Sequence, residues 1–276
     1  MNTSLNVKIL YDKMGAAEKK IADFIMLNPS AVVPLSVSEL ADKCGCGDAT
    51  VVRFAKRLGF DGYQSLKISI AKDVNLSNVN DNITKDDSAY EVFTKVCNDV
   101  YCSLEKTKSA LNKEALSSAC NAIINANKVV IFGLGNSASV AMDATHKLLR
   151  LGFNAVCYTD NHMQAIAAAH LKNGDVVIAI SHSGSSKDIV QALELAKSRG
   201  AITITLTNKG KSPVVKFSDF ILNTVSDETN YTILGLNSRI AQLAIIDAIY
   251  YYLVCNVDGA KEFSSKTENA LQPKKY

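Results

Sequence analysis

Several features that would point to a membrane, secreted or metal-binding protein are absent from this 276-residue chain. No apolar run approaches the roughly 18 to 20 residues of a transmembrane helix, and residues 1–6 lack the apolar core of a signal peptide. The seven cysteines are an odd number, and the close pair Cys44 and Cys46 has no second pair or nearby histidine at zinc spacing. We therefore expect a cytoplasmic protein with reduced thiols, no metal and no cofactor.

The net charge of +3 is too small to indicate nucleic-acid binding by itself. Its distribution is more informative, because residues 51–72 contain five basic side chains and a single acid, Asp61. Such a local excess suits a phosphate backbone, although a solvated helix face would produce the same count. The basic residues are Arg53, Lys56, Arg57, Lys67 and Lys72.

Residues 1–75 are predicted to form a run of short helices. Apolar residues recur at helical spacing from Ala17 to Ile25, and this helix should end at Asn28 and Pro29. Ser36 and Glu39 fit a capping box that begins a second helix. Glycines at 45 and 47 should end that helix after about two turns.

A third, basic helix is expected from Asp48 to Leu58, with Val51 and Ala55 facing inward. A helix in the major groove needs small or hydrogen-bonding residues near its start, and Arg or Lys for guanine edges and phosphates. Two short helices joined by a glycine turn predict a helix-turn-helix that binds double-stranded operator DNA. The alternative is an exposed basic helix in a bundle. The candidate DNA-binding residues are Ala49, Thr50, Arg53, Lys56 and Arg57.

The rest of the chain predicts a linker followed by an α/β domain. The polar, Asn-rich residues 75–87 are the expected linker, and together with a following helix it occupies 76–118. Strand-like runs then alternate with helices, which predicts a five-stranded, doubly wound parallel sheet over 119–263. A C-terminal tail is expected over 264–276, with residues 272–276 frayed. The strands begin near Val129, Ala155, Val176, Ile202 and Phe220, and a last long helix covers residues 238–255.

Two Gly-Ser loops follow the first and third predicted strands, at 133–137 and 181–186. Such a loop before a helix offers backbone N–H groups and a helix dipole to an anion. Without a lysine of the P-loop type, the loops predict one phosphate with a polar carbon skeleton beside it. The alternatives are serines that cap helices, as Ser186 is expected to do in either case, and a dinucleotide site with Asp160 as its acid. The serines of the second loop favour a compact phosphomonoester.

The N-terminal sequence resembles the RpiR family of bacterial transcription regulators in its segments 36–43 (SVSELADK), 49–60 (ATVVRFAKRLGF) and 62–63 (GY). That family joins a helix-turn-helix to a sugar isomerase (SIS) domain, which residues from about 119 resemble. The resemblance implies a flavodoxin-like strand order, and it implies a phosphorylated sugar or amino sugar as effector. Family members usually have a serine where the recognition helix begins, and here Gly47 and Asp48 stand there.

The second loop is similar to the phosphate loop of SIS domains, Ser-x-Ser-Gly-x-Thr/Ser. The resemblance assigns Ser181, Ser183 and Ser186 to the phosphate, with Gly184 for the tight turn. His182 lies inside this loop, where it could contact the ligand. In the first loop, Ser137 would supply a further hydroxyl, and Gly135 and Asn136 would approach the sugar.

An SIS domain also serves enzymes, so an isomerase with an appended helical domain is the alternative function. Isomerisation needs a base near the sugar's first two carbons, and His162 is the best candidate among the four histidines. We expect no catalytic residue and predict a regulator that acts as a homodimer or homotetramer. Arg239 and Asp247 in the last long helix could reach the ligand or a second subunit.

Overall fold

The computed structural model describes residues 7, 10–11, 14–75, 83–208, 210–226 and 236–274. These residues form two units, the first mainly N-terminal to Ser103 and the second mainly from Ser103 onward. Of the predicted linker, residues 76–82 lie outside the described residues, and 83–88 form no regular helix or strand.

Short helices build the first unit, and the three helices predicted from the sequence begin and end close to the predicted residues. The first helix stops at the predicted Asn28, although Pro29 then begins a short helix rather than only ending one. Ile21, Leu40, Val51 and Phe54 are fully buried at the centre of this unit. The helices are α1 (Ala16–Leu27), α2 (Pro29–Val32), α3 (Val37–Lys43), α4 (Asp48–Arg57) and α5 (Tyr63–Asn75), and α6 (Ala89–Ala110) follows the linker.

A five-stranded parallel sheet with the order β2-β1-β3-β4-β5 forms the second unit. The predicted α/β class and flavodoxin-like strand order are therefore confirmed. The helices are α7 (Lys113–Ile124), α8 (Asn136–Arg150), α9 (Asn161–Ala169), α10 (Lys187–Ser198), α11 (Leu236–Asn256) and α12 (Ala260–Leu271). The strands are β1 (Lys128–Gly133), β2 (Ala155–Tyr158), β3 (Asp175–Ile180), β4 (Ile202–Thr207) and β5 (Phe220–Asn223).

Apolar residues cover both faces of this sheet, which explains why its central strands read as continuous apolar runs. On one face, Ile131 and Ile178 pack with residues of α7, α8 and α11. On the other face, Val130 and Phe132 pack with residues of α9 and α10. Successive residues of a strand point to opposite faces, so the two layers are separate clusters.

The predicted C-terminal tail begins within a helix rather than after one. Of the residues expected to be frayed, 275–276 lie outside the described residues. Helix α12 continues to Leu271, and a 3₁₀ turn, Gln272–Lys274, follows it. Glu268 of α12 forms an ion pair with Arg150, and Thr267 Oγ1 donates to the Arg150 carbonyl at 3.2 Å. Over the described residues, no single helix is long and apolar enough to cross a membrane. Helix α11 and the helical segment after it reach that length and composition only together, and the pair is bent by 111°.

Candidate functional site

The predicted capping box begins helix α3. The Glu39 N–H donates to Ser36 Oγ at 3.2 Å, and the Ser36 N–H donates to Glu39 Oε2 at 2.7 Å. The helix ends at Cys44, and the turn that follows passes through Gly45 with φ of +63°. Only glycine adopts that backbone conformation without strain, so this position fixes the turn between α3 and α4.

A hydrogen bond between two side chains also connects α3 to α4. Gly47 holds the N-cap position of α4 and supplies no side-chain hydrogen bond there. Instead, Ser38 Oγ on α3 donates to Oδ2 of Asp48, the first residue of α4, at 2.7 Å. The Asp48 carboxylate thereby lies at the positive end of the α4 dipole, where a negative charge is stabilising.

Helix α4 separates its residues into a buried and an exposed face as predicted. Val51, Ala55 and Leu58 are buried, and Phe54 is buried with them although its position was not singled out from the sequence. Of the predicted DNA-binding residues, Thr50 is half-buried and accepts a 3.4 Å contact from Arg53 Nη2. The exposed ones are Ala49, Arg53, Lys56 and Arg57.

Two of the basic residues have roles within the first unit. Arg57 Nη1 lies 2.6 Å from Glu18 Oε2 on α1, so part of its charge is already compensated. Lys67 on α5 is only 4% exposed, and its ammonium donates to the Leu35 carbonyl at 3.3 Å. Counting Lys67 in the basic surface was therefore wrong, because its charge points into the unit.

The two Gly-Ser loops leave the sheet from neighbouring positions. Gly133 at the end of β1 pairs in register with Ile180 at the end of β3, and the strands are parallel. Strand β1 has β2 on its other side, so the chain changes direction across the sheet between β1 and β3. Ligands of open α/β sheets bind in the crevice at such a switch point, beyond the carboxyl ends of the strands.

The first loop requires glycine at two positions. A Cβ at Gly133 would lie 2.6 Å from the Ser137 carbonyl oxygen, so only glycine allows α8 to start this close to the strand. Gly135 has φ of +57° and holds the N-cap position of α8. Asn136 is exposed and Ser137 is half-buried in the first turn of the helix. Both residues therefore follow closely on the carboxyl end of β1.

The second loop is a tight turn in which the candidate serines have different surroundings. Ser181 is 5% exposed, whereas Ser183 and Ser186 are half-buried. Gly184 has φ of +61°, and its N–H donates to the Ser181 carbonyl at 3.1 Å. Ser186 holds the N-cap position of α10, but its side chain makes no capping hydrogen bond, contrary to expectation. Its hydroxyl is therefore not committed to the helix.

Polar residues at the ends of β4 and β5 support the second loop, and sequence reasoning missed them. Thr207 Oγ1 and the Asn208 N–H both donate to the His182 carbonyl, at 3.3 and 3.0 Å. The Asn208 amide oxygen accepts from the Ser226 N–H at 2.8 Å. Within the described residues, the buried Thr224 Oγ1 and Ser226 Oγ have no hydrogen-bond partner. In the sequence, these residues stand out only as polar residues at or just after the end of an apolar strand.

Two acids considered from the sequence have structural partners. Asp160 caps α9, because its Oδ1 accepts from the Met163 N–H at 3.0 Å, which disfavours a dinucleotide site. Asp247 Oδ1 lies 2.6 Å from Lys147 Nζ, so it joins α11 to α8. Burial lowers the pKa of Lys147, but hydrogen bonds to Asp143 and Asp247 outweigh it and raise the pKa above its ordinary value. His162, the candidate base, is exposed near the start of α9.

Both parts of the chain match models of known domain families. Residues 1–77 match the helix-turn-helix domain of the rpiR family. Residues 122–252 match the SIS domain.

The chain is similar to bacterial regulators over most of its length. An uncharacterized HTH-type transcriptional regulator of Caldanaerobacter subterraneus subsp. tengcongensis is 39% identical over 85% of this chain and 84% of that one. One from Thermotoga maritima is 31% identical over 100% of both. Among solved structures, NanR of Vibrio vulnificus, complexed with ManNAc-6P, has a TM-score of 0.85 at 23% identity, with 100% of both chains covered. The sugar isomerase domain of an RpiR transcription factor from Sphaerobacter thermophilus has a TM-score of 0.58 at 25% identity, over 64% of this chain and 97% of that one.

A helix-turn-helix domain joined to an SIS domain defines a class of transcriptional regulators. The chain belongs to the rpiR family of these regulators.

Proposed function

We propose that this regulator binds operator DNA through α4 and that a phosphorylated sugar or amino sugar in the SIS domain changes its DNA affinity. The carrying observation is the register of Gly133 with Ile180, which starts both Gly-Ser loops side by side at the switch point of the sheet. The similar fold of NanR, which was solved with ManNAc-6P, supports an amino-sugar phosphate as the effector.

In this proposal the phosphate is held by the second loop and the carbon skeleton lies toward the first. Ser181, Ser183 and Ser186 donate their hydroxyls to the phosphate, and His182 lines the pocket. The N-terminus of the 12-residue helix α10 adds its dipole and backbone N–H groups. Gly135, Asn136 and Ser137 contact the sugar.

In this proposal the chain has three parts before its C-terminal tail. Residues 1–75 form the DNA-binding domain, residues 76–118 form the linker and connecting helix, and residues 119–263 form the SIS domain. Ala49, Thr50 and Arg53 read base edges, and Lys56 and Arg57 contact phosphates. The protein acts in the cytoplasm. It forms a homodimer or homotetramer, because a two-fold assembly matches paired half-sites on DNA. The effector must bind the two DNA-affinity states unequally, with a coupling of about 1–3 kcal/mol.

The protein senses the sugar phosphate and does not convert it. The related chains named as transcriptional regulators support this assignment over an isomerase. His162, the best candidate base, is exposed near the start of α9 and belongs to neither Gly-Ser loop.

A thermal-shift screen with sugar phosphates, including ManNAc-6P and the matching unphosphorylated sugars, tests the proposal. A ligand at 100 times its dissociation constant adds about 2.7 kcal/mol to folding stability. The compound that raises the melting temperature should also change the mobility of a complex with DNA from the regulator's own promoter. Failure of every sugar phosphate to shift melting would contradict the ligand assignment, and turnover of the active compound would favour the isomerase.

A further inference from the structure

Helix α6 carries an exposed apolar stripe, which we define as Tyr90, Phe93, Cys97 and Tyr101. Tyr90 is 76% exposed, Phe93 is 62% and Tyr101 is 66%, and the Cys97 thiol is exposed between them. At 100° per residue, the four positions fall within about 80° of one another around the helix. Large apolar side chains that share one exposed face mark an interaction surface.

Charged residues of the same segment lie away from the stripe. Glu91 accepts from the Ser88 N–H at 2.7 Å, and Lys95 forms a 2.7 Å ion pair with Asp87. Around the helix, Glu91 lies about 120° and Lys95 about 160° from the centre of the stripe. The stripe is therefore uncharged, which is unsuited to a nucleic-acid backbone and suited to another apolar surface.

The order of side chains along the stripe is symmetric about Cys97. Phe93 precedes Cys97 by four residues and Tyr101 follows it by four. If two copies of α6 cross in antiparallel fashion at Cys97, Phe93 of each copy meets Tyr101 of the other. A two-fold interface requires this kind of pairing, in which one residue contacts a second and the second contacts the first.

We propose that the α6 stripe is a docking surface for a second copy of this chain, with Cys97 at the two-fold axis. Packed helices lie about 8–10 Å apart. Since Cα atoms lie about 2.3 Å from each helix axis, two directly facing Cα atoms come within about 3.4–5.4 Å. That separation overlaps the range of about 4.4–6.8 Å that a disulfide spans. The two Cys97 thiols therefore face each other closely enough to be cross-linked.

The area of the stripe fits the centre of a dimer interface. A buried Tyr or Phe contributes about 150–250 Å², so three that are about two-thirds exposed offer roughly 300–500 Å² per copy. Two copies then bury about 600–1,000 Å², against about 1,200–2,000 Å² for a specific interface. The stripe thus supplies the apolar centre, and the remaining area comes from the residues around it.

A cysteine on another face of the same helix provides a matched control. Cys102 is also exposed, but it lies about 140° around α6 from Cys97. The third exposed cysteine, Cys255, is replaced by alanine in every variant. One variant then carries Cys102→Ala and keeps Cys97, and the other carries Cys97→Ala and keeps Cys102.

Each variant is treated at a few micromolar with diamide, which takes up the two thiol hydrogens as the disulfide forms, and is analysed on a non-reducing gel. We expect at least fivefold more covalent dimer from the variant that keeps Cys97. Phe93→Glu added to that variant should reduce the yield to the level of the Cys102 variant, while circular dichroism stays unchanged. Equal yields from the two variants, or no dimer through Cys97, would overturn the proposal.

This inference rests on the proposed homo-oligomer, so the mass of the untreated chain is measured by light scattering. An oligomer in which Cys97 does not cross-link overturns the α6 surface alone. A monomeric parent overturns the oligomer as well. Neither result bears on the effector, which the thermal-shift screen tests with the same protein.

Discussion

Glu18 on α1 and Arg57 in the last turn of α4 form a 2.6 Å ion pair between Oε2 and Nη1. The same carboxylate oxygen accepts from the Gly15 N–H at 3.0 Å, which fixes the start of α1. The carboxylate thus competes with DNA for the Arg57 side chain. Arg53, one turn earlier, makes a 3.4 Å contact with Thr50 on its own helix. The two arginines should therefore respond differently to substitution.

Arg53→Ala should remove a base-edge contact and weaken operator binding by about 1–3 kcal/mol, with relaxed specificity. Arg57→Ala should weaken binding to all sequences alike and reduce the salt slope by about one. Fluorescence anisotropy with operator and scrambled duplexes at several salt concentrations measures both effects. Sugar-phosphate binding should be unchanged in both variants. If the double variant binds the operator as tightly as the parent at physiological salt, α4 is not the DNA-binding helix.

Glu18→Gln should tighten binding to every duplex and steepen the salt dependence, because it removes the negative charge that holds Arg57. The cost in folding stability should stay below about 1 kcal/mol, since the pair is partly exposed. Glu262→Gln is the matched control, because Glu262 pairs with Lys266 on the surface of α12. If Glu18→Gln and Glu262→Gln bind DNA alike, Arg57 does not contact phosphate.

Lys67→Met should destabilise the first unit without changing the salt dependence of DNA binding. The ammonium that donates to the Leu35 carbonyl is buried, and a hydrogen bond from a charged group contributes about 1.5–3 kcal/mol. Lys56→Met, on the exposed face of α4, should reduce the salt dependence of DNA binding and leave the stability of the first unit unchanged. Urea unfolding and anisotropy measure the two properties. A reduced salt slope in Lys67→Met alone would return Lys67 to the DNA surface.

Asp219→Asn should change how stability depends on pH. Burial would raise the pKa of Asp219, but hydrogen bonds from the Thr203 N–H and the Lys197 ammonium outweigh it and lower the pKa. A lowered carboxyl pKa stabilises the fold above the unfolded value of about 3.9, and that stabilisation is lost as pH falls through the folded value. The parent should exceed Asp219→Asn in urea stability at pH 6, and the difference should shrink toward pH 3. The exposed Asp258→Asn serves as control, and a constant difference contradicts the prediction.

Local patterns were sufficient for most of the fold. The pair Ser36 and Glu39 specified the start of α3 because a capping box involves residues three apart. The parallel sheet followed from apolar runs that alternate with helices, and its strand order followed from the family resemblance. Both loops of the candidate site could be located because glycine and serine follow such runs at their carboxyl ends.

Contacts between distant residues could not be predicted. Thr267 binds the Arg150 carbonyl across more than a hundred residues, so the later part of α12 was predicted only as a tail. Lys67 read as a surface charge because a count of basic residues does not distinguish a lysine that donates to Leu35. Thr207 supports the carbonyl of His182 through a strand pairing that the sequence does not display.

Ser183→Ala, alone and together with Ser181→Ala, should weaken sugar-phosphate binding by at least tenfold, because a hydrogen bond to a charged group contributes about 1.5–3 kcal/mol. Ser198→Ala is the matched control, since its hydroxyl bonds to the Leu195 carbonyl at the far end of α10. Calorimetry is done with the sugar phosphate that gives the largest thermal shift and with its unphosphorylated form, which should bind weakly to every variant. Equal affinity of the parent for the two forms contradicts the phosphate loop. DNA binding without effector should survive in the serine variants, because α4 belongs to the other unit. The result would be a regulator that binds its operator and no longer responds to the sugar phosphate.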